Sequence, residues 1–333
     1  MLSGMELRLA RHAMATRFEL VLHGEDGPRL RAVGEEALDE ITRLEAALSL
    51  YRPESELSAI NRGGATGWVR VTPEVAALVA HALALSRATG GAFDPTVAPL
   101  VDAWGLRSDA GHVPDEAALA AARDAVGAHL VEADPAGAVR FIRPGVRLDL
   151  GSIGKGYALD RAAALLREAG VTSALLHGGT SSVVALGAPP GGDAWKVAVA
   201  PPEKLQAPSS KLQASPPPPP PDEPPFTIHH PPFTPQPAVF PLRDESLSVS
   251  AVWGRGFTAD GRFHGHVLDP RSGRPVQGGL LAALVLPAAT ESDALSTALL
   301  VRGAELAAKL RAAPPRVRCR VNEGGSEGRG GAS

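Results

Sequence analysis

Cysteine is nearly absent from this chain of 333 residues, in which Cys319 is the single example. One cysteine cannot form an internal disulfide, so the sequence excludes a fold held together by a disulfide framework. The scarcity fits a reducing compartment. Long apolar runs are missing as well. No stretch of about 18 apolar residues occurs, and the sequence therefore predicts no transmembrane helix.

The chain also lacks a large excess of positive over negative charge or the reverse. The formal net charge is -3 at pH 7, and no global basic field favours a nucleic-acid partner. No apolar run follows residues 1–8, which predicts neither a signal peptide nor a lipoprotein cysteine. We therefore expect a cytoplasmic protein from the sequence as written, and a periplasmic or membrane-anchored one if an export signal precedes Met1 in a longer precursor.

Proline and glycine are abundant but unevenly placed. Residues 201–237 contain an unbroken proline run from Pro216 to Pro221, and such a composition favours polyproline II over a packed core. We interpret this segment as a solvated low-complexity insertion between two strands, with a ligand for a proline-recognising domain as the alternative. It divides one predicted domain, residues 5–312. The glycine-rich tail at residues 313–333 is predicted to be disordered.

Elsewhere the composition is that of an ordinary globular protein, with 44% hydrophobic and 21% charged residues. Helical spacing and helix-start signals recur in five regions: residues 33–48, 72–90, the segment after Pro114, 153–169 and 290–311. Predicted strands occupy residues 139–142, 146–150, 172–177, 182–187, 195–200, 246–252, 263–268 and 281–286. Consecutive strands joined by short links predict an α+β fold of antiparallel sheets with packed helices.

The stretch richest in candidate chemistry is residues 148–160, predicted as a strand end, a small-residue loop and a helix start. Glycines there would let the backbone approach a ligand closely, and a helix start offers free N–H groups to an anion. Lys155 adds a positive charge at the same place. The stretch is not a Walker A loop, because its pattern is not met. From these residues alone, phosphate binding and a plain tight turn both remain open.

A second element contains Asp293 and Thr297, which are four residues apart and so share one face of a helix. A carboxylate with a hydroxyl is a reasonable partial shell for Mg²⁺, which prefers oxygen ligands and keeps waters or phosphates. The spacing of Thr290 and Asp293 also fits a capping box, in which Asp293 would only satisfy backbone donors. The sequence alone leaves both interpretations open.

Two histidines, His264 and His266, would point to the same side of the strand predicted over residues 263–268. No third ligand has a spacing suited to zinc, so a zinc site is disfavoured. A histidine near a phosphate or a ring fits the pattern better, and a structural histidine is the alternative.

A helix end followed by a turn is predicted at residues 90–97. Phe93 could stack on a ring there, and Asp94 could accept a hydrogen bond from ribose or adenine. Asp-Pro turns are common and phenylalanine is usually a core residue. Alone, this turn is weak support for a ligand.

Taken in order along the chain, these pieces resemble the ApbE family, the FAD:protein FMN transferases. The matching pieces are residues 14–16, 48–61, 91–97 continuing to 104–105, 149–160, 178–179, 266–270 and 293–297. They span residues 14–310 apart from the insertion, and the ordered set is more specific than any one motif. Three features depart from the family pattern, one of which is the proline-rich insertion before residues 247–250. Thr180 stands where the family commonly has aspartate, and the region after Leu310 looks unlike a closing strand.

The resemblance implies a T-fold-like α+β core that binds FAD and Mg²⁺. Carried over residue by residue, it implies an FAD site lined by Met14, Tyr51, Ala92, Phe93, Asp94, Asp149, Lys155 and His266. It implies an Mg²⁺ site formed by Asp293, Thr297 and main-chain oxygens at Ser152 and Ser296. The candidate catalytic residues are then His266 and Asp293.

The activity implied by the resemblance moves the FMN moiety of FAD onto a threonine (or serine) hydroxyl of a target flavoprotein and releases AMP. The target would be a partner protein carrying a flavinylation threonine, for example a subunit of a membrane redox complex. Two alternatives remain open from the sequence. One is an FAD pyrophosphatase giving FMN and AMP, and the other is a flavin-binding or scaffold protein without turnover.

Overall fold

A computed structural model describes residues 5–107, 111–199, 227–228, 238–252, 254–277, 279–312 and 318–323. Within these ranges the helices are α1 (Gly27–Leu48), α2 (Glu56–Gly63), α3 (Pro73–Ala88), α4 (Ala98–Ala103), α5 (Glu116–Asp124), α6 (Gly154–Glu168), α7 (Ala289–Arg302) and α8 (Ala304–Ala312). None of these helices combines the length and the apolar character needed to cross a membrane.

The strands of the described chain are β1 (Met5–Ala13), β2 (Thr16–Gly24), β3 (Val69–Arg70), β4 (Val131–Asp134), β5 (Ala138–Phe141), β6 (Ser173–Gly178), β7 (Ser182–Leu186), β8 (Trp195–Val199), β9 (Thr227–Ile228), β10 (Ala238–Leu242), β11 (Ser246–Ala251), β12 (Gly256–Ala259), β13 (Arg262–Gly265), β14 (Leu268–Asp269), β15 (Arg274–Pro275), β16 (Gly279–Leu286) and β17 (Arg318–Glu323).

The centre of the fold is a seven-stranded sheet in the order β1-β2-β6-β7-β11-β16-β17, in which every neighbouring pair is antiparallel. Helices α1, α6 and α7 pack on one face of this sheet. Its other face is covered by a smaller sheet in the order β10-β8-β9, through side chains such as Trp195, Val197 and Phe240. This layered arrangement confirms the predicted α+β class.

Helix α1 illustrates how the sequence pattern produces the helical layer. Its buried residues recur at helical spacing, with Leu30, Leu38, Ile41 and Leu44 each no more than 5% exposed. Asp26 begins the helix by accepting a hydrogen bond from the Arg29 amide at 3.0 Å. The neighbouring helices α6 and α7 carry the residues of the candidate site.

Strands β1 and β2 form a hairpin that the sequence analysis did not predict, because their turn lacks the usual asparagine-glycine signal. The turn consists of Met14 and Ala15, whose φ angles of 50° and 57° lie in the left-handed region. Non-glycine residues in this region cost about 1–2 kcal/mol each. The hairpin therefore stores backbone strain at a residue that the family resemblance assigns to the FAD site.

Ala15→Gly should stabilise the protein, because glycine adopts this conformation without a Cβ penalty. Part of the gain is offset by the greater flexibility of glycine in the unfolded chain, so we expect a net increase of about 0.5–1 kcal/mol. Denaturant unfolding measures this change. Ala13→Gly is the matched control, since Ala13 is extended and 3% exposed, and its replacement should destabilise. An unchanged or lower midpoint for Ala15→Gly would show that the turn is not strained.

Two predicted strands were wrong in instructive ways. Residues 146–150 alternate buried and half-buried side chains, but they lie in no strand. Their backbone groups bond elsewhere: the Asn61 side chain pairs with both the amide and the carbonyl of Leu148, and the Asp149 amide donates to the Pro95 carbonyl. Residues 263–268 form parts of two strands, β13 and β14, instead of one.

The C-terminal region also differs from the prediction. The helical region at residues 290–311 is two helices, α7 and α8, separated by Gly303 with a φ of 58°. The predicted disorder after residue 313 was wrong for Arg318–Glu323, which closes the edge of the main sheet by pairing with β16. Most of the proline-rich insertion at 201–237 lies outside the described residues. Its described part is β9, which pairs with β8, and β10 begins at Ala238, directly after the insertion.

Candidate functional site

The candidate site lies where the start of α6 and the first turns of α7 meet β7 and β11. Asp293, on α7, is 4% exposed. Its Oδ1 accepts hydrogen bonds from the hydroxyls of Ser182 at 3.3 Å and Ser248 at 3.2 Å. Its Oδ2 accepts one from the Gly156 amide at 3.1 Å. A buried carboxylate is thus held in place by donors from three different elements.

A row of serines on β11 faces α7 and surrounds this carboxylate. Ser246, Ser248 and Ser250 alternate along the strand, so they share one face. All three bond hydroxyls of α7: Ser246 bonds Ser292 at 3.0 Å, and Ser248 accepts from Ser296 at 3.2 Å. Ser250 bonds Ser296 at 2.8 Å and Thr297 at 3.1 Å. Sequence reasoning missed this row. Its signal was the alternation of serine in an otherwise apolar strand.

The capping-box interpretation of Thr290 and Asp293 was wrong. Helix α7 begins at Ala289, so Thr290 lies inside the helix, and its hydroxyl donates to Asp160 at 2.6 Å. Asp293 therefore does not serve as part of a helix cap. Its carboxylate is directed at α6 and the serine row instead.

The glycines of residues 148–160 have structural reasons that the sequence did not reveal. A Cβ on Gly156 would lie 2.1 Å from the Ala289 carbonyl oxygen and 2.9 Å from the Asp293 Cβ, so only glycine allows this close crossing of α6 and α7. The crossing is what lets the Gly156 amide reach Asp293. This amide, expected to be free for an anion, is therefore already bonded.

Lys155 lies beside Asp293. Its Nζ is 3.5 Å from Asp293 Oδ2 and donates to the Gly151 carbonyl at 3.3 Å, and its side chain is 22% exposed. The positive charge predicted at the start of α6 is therefore present, and it faces the buried carboxylate. The exposed part of the side chain leaves it within reach of a bound anion.

His266 follows β13, and its Nδ1 lies 3.1 Å from the Arg255 carbonyl oxygen. The protein packed around the ring lowers the pKa of His266, and the cations of Arg255 and Lys155 lower it further. The lowered pKa favours the neutral form of the imidazole. Because its Nδ1 faces a carbonyl, Nδ1 carries the proton and Nε2 is left as an acceptor.

His264 lies within β13, whereas His266 follows the end of that strand. His264 packs against the rings of Trp104 and Phe257, with centroid distances of 5.3 Å and 5.1 Å. In the part of the chain that the structure describes, no group of three or more His, Cys, Asp and Glu side chains is arranged to hold a metal ion. The disfavoured zinc interpretation gains no support.

A second part of the site is an open cleft of about 390 Å³ next to Tyr51, which is 68% exposed. Arg107 lines this cleft and contacts the Asp149 carboxylate at 3.3 Å. Asp149 in turn accepts a hydrogen bond from the Gly151 amide at 2.8 Å, and the Gly151 carbonyl accepts from Lys155. These contacts connect the cleft to the buried carboxylate of α7.

The turn at residues 92–94 does not fit the direct ligand contacts suggested for it. Ala92 and Phe93 are 1% and 2% exposed, and Phe93 belongs to the core. The Asp94 carboxylate is saturated by the protein, since it accepts from Ser86, from Thr96 and from the Ala128 amide. The turn instead supports Asp149, whose amide donates to the carbonyl of the next residue in the turn, Pro95.

Met14 lies in the strained hairpin turn and is anchored by Glu45 of α1. The Met14 amide donates to the Glu45 carboxylate at 2.8 Å, and Arg52 contacts the same carboxylate at 3.2 Å. Because Arg52 is the neighbour of Tyr51, Glu45 links the two segments that carry Met14 and Tyr51. Sequence reasoning gave no role to Glu45.

The residues predicted to hold Mg²⁺ provide a donor set made of oxygen. Asp293 and Thr297 share one face of α7. Ser296 directly precedes Thr297 and bonds Ser250 of the serine row, and Ser152 lies in the turn before α6. A single carboxylate with neutral oxygens fits Mg²⁺, which binds through one or two carboxylates and keeps waters and substrate phosphates. The Lys155 ammonium at 3.5 Å already places a positive charge beside this carboxylate.

Comparison with known proteins identifies relatives of the chain. The ApbE family model matches residues 14–321. The chain is 28% identical over 302 residues to the FAD:protein FMN transferase of Salmonella typhimurium, and the match covers 88% of this chain and 78% of the relative. It is 31% identical over 285 residues to the FAD:protein FMN transferase of Treponema pallidum, covering 83% and 73%.

Solved structures resemble the fold closely. The ApbE protein of Thermotoga maritima superimposes with a TM-score of 0.76 at 24% identity, covering 96% of this chain and 97% of that one. The apo flavinyl transferase ApbE of Pseudomonas stutzeri superimposes with a TM-score of 0.72 at 26% identity, covering 90% and 85%. The fold is thus the predicted T-fold-like ApbE architecture, and with the family model matched over nearly its whole length, the chain belongs to the ApbE family.

Proposed function

We propose that this chain is an Mg²⁺-dependent transferase that moves the FMN moiety of FAD onto a threonine (or serine) hydroxyl of a target flavoprotein and releases AMP. The observation that carries the proposal is the pairing of Lys155 with the buried carboxylate of Asp293 at 3.5 Å, connected through Gly151 and Asp149 to the open cleft beside Tyr51. The names of the relatives in Salmonella typhimurium and Treponema pallidum support the same activity.

The proposed metal site is formed by Asp293, Thr297 and the main-chain oxygens of Ser152 and Ser296. When bound there, Mg²⁺ would neutralise charge on the phosphates of FAD and on the leaving AMP. The protein's own contribution is to hold Asp293 without movement, through Gly156, Ser182 and Ser248. Lys155 supplies a second positive charge for the pyrophosphate.

The transfer step then needs positioning more than covalent help from the protein. The hydroxyl oxygen of the target forms a bond to the FMN phosphorus, and the bond from that phosphorus to the bridging oxygen breaks. AMP leaves with the bridging oxygen and the electron pair. The hydroxyl proton goes to Nε2 of His266, whose neutral form is favoured by its lowered pKa.

The test is incubation of the chain with FAD, Mg²⁺ and a target domain that carries a flavinylation threonine, followed by mass analysis. We expect the target to gain the mass of FMN less one water and AMP to appear in equal amount, and a target with that threonine replaced by alanine to gain nothing. Free FMN and AMP without modified target would identify an FAD pyrophosphatase. Binding of FAD without AMP would identify a flavin-binding protein without turnover.

Lys155→Met should weaken FAD binding, because it removes the charge while keeping most of the side-chain stem. Loss of one charge-assisted hydrogen bond to phosphate corresponds to about 1.5–3 kcal/mol. Riboflavin, which lacks phosphate, should bind equally well to both forms. Calorimetric titration with the two ligands measures the difference.

Lys196→Met is the matched control, since Lys196 is an exposed lysine on β8 in the small sheet, on the face opposite α6. It should leave the affinities for FAD and riboflavin unchanged. Equal weakening of FAD and riboflavin by Lys155→Met would contradict a phosphate role. It would indicate a packing role for the Lys155 side chain.

A further inference from the structure

The start of α7 is capped by a residue from another helix. The first N–H groups of a helix have no partner within it. The N-cap position of α7 is Ala288, whose methyl side chain cannot accept a hydrogen bond. Asp160 of α6 supplies the missing acceptor. Its carboxylate accepts from the Ala289 amide at 2.8 Å, the Thr290 amide at 2.8 Å and the Thr290 hydroxyl at 2.6 Å.

This cap and the bond from Gly156 to Asp293 are two hydrogen-bonded contacts between α6 and α7. Gly156 and Asp160 are four residues apart on α6 and share a face, and the same holds for Ala289 and Asp293 on α7. Gly156 bonds to Asp293, and Asp160 bonds to Ala289. Sliding α7 by one turn, about 5.4 Å, would break both contacts at once.

We propose that Asp160 is a positioning residue for the transferase reaction, which fixes α7 so that the Asp293 carboxylate lies beside Lys155 at the metal site. This inference rests on the proposed function. Asp160 acts through α7 and does not itself contact metal or substrate. The serine row of β11 holds the side chain of Asp293, and Asp160 holds the backbone that carries it.

A merely structural cap would have a different signature. It would lower the stability of the protein while the folded fraction kept its normal affinity for Mg²⁺. A positioning residue changes the affinity of the folded protein for Mg²⁺, as outer partners of metal ligands commonly do. Lys155 is on α6, so FAD affinity measured without Mg²⁺ should be nearly unchanged in either case.

The experiment compares the full-length protein with its Asp160→Asn variant, which keeps the shape but turns an amide donor toward the α7 amides. Calorimetric titration with MgCl₂ should give a Kd weakened roughly 10–100-fold. The Mg²⁺ concentration for half-maximal turnover should rise with it. Hydrogen exchange at the amides of Ala289 and Thr290 should become faster. The control is Asp26→Asn, which alters the cap of α1 and should leave Mg²⁺ affinity unchanged.

Thr290→Val provides a milder second variant, since it removes one of the three hydrogen bonds and keeps the side-chain shape. It should weaken Mg²⁺ binding by a smaller factor than Asp160→Asn. Wild-type Mg²⁺ affinity in folded Asp160→Asn, or in Thr290→Val if Asp160→Asn does not fold, would overturn the inference. Absence of Mg²⁺ binding and turnover in the wild-type protein would instead overturn the proposed function.

Discussion

Asp293→Asn should lower Mg²⁺-dependent FAD turnover by roughly 1000-fold and leave the fold intact. The charge stabilisation that a bound metal supplies is several kcal/mol, and about 4 kcal/mol corresponds to about 1000-fold in rate. Asparagine keeps the size and one acceptor oxygen, so the hydroxyls of Ser182 and Ser248 retain a partner, and only the Gly156 amide loses its acceptor. Asp293→Ala would leave these buried donors unpaired and would confuse stability with activity.

Turnover as a function of Mg²⁺ concentration, together with a melting curve, measures both properties of Asp293→Asn. Glu291→Gln is the matched control on the same turn of α7, because Glu291 is partly exposed and pairs with His81 at 3.0 Å. Its turnover should equal that of the wild type. Its stability should change by about 1 kcal/mol or less, because exposed ion pairs contribute no more than that. A variant of Asp293 that melts much lower yet keeps turnover would assign this carboxylate a structural role alone.

Gly156→Ala should destabilise the protein by about 3 kcal/mol and abolish Mg²⁺ binding at the site. The new Cβ would lie 2.1 Å from the Ala289 carbonyl oxygen, and this backbone atom can move only if α6 and α7 separate. Overpacking of this kind costs about 1–3 kcal/mol and sometimes more. Separation of the helices would also break the bond from the Gly156 amide to Asp293.

Gly154→Ala tests the same substitution two residues earlier in α6. A Cβ there would meet only Leu48 Cδ1 at 3.9 Å, an ordinary contact. Alanine favours a helix over glycine by up to about 1 kcal/mol, so this variant should be as stable as the wild type or slightly more stable. Thermal unfolding of both variants measures the contrast. If both melt alike, the close crossing at Gly156 does not limit the packing of the two helices.

The elements that the sequence predicted correctly are those whose signals are local. Helix α3 begins after Thr72, whose hydroxyl accepts from the Val75 amide, and α6 ends just before Gly170, as its pattern indicated. Residues 146–150 have the alternation of a strand, but a pattern of burial does not specify which groups bond the backbone. Here the Asn61 side chain takes that role, 87 residues away in sequence.

The candidate site was predictable to the extent that its residues lie in recognisable motifs. Asp293, Lys155 and His266 were named from motifs, and the structure places Lys155 within 3.5 Å of Asp293. Asp160 lies in the same stretch as Lys155, but its role depends on a helix more than 120 residues later. Contacts of this kind follow from the packing of α6 on α7, which no local pattern encodes.

Strands β8 and β10 have a consequence for how the chain can vary. Val199 pairs with Ala238, so the two ends of the segment between them lie at adjacent positions of the small sheet, and within that segment β9 pairs with β8. Both ends lie on the face of the main sheet opposite α6 and α7, which carry the site. The parts of this segment outside β9 can therefore change in length or content during evolution without altering the distance between Lys155 and Asp293. The same position is a suitable site for the insertion of a reporter domain.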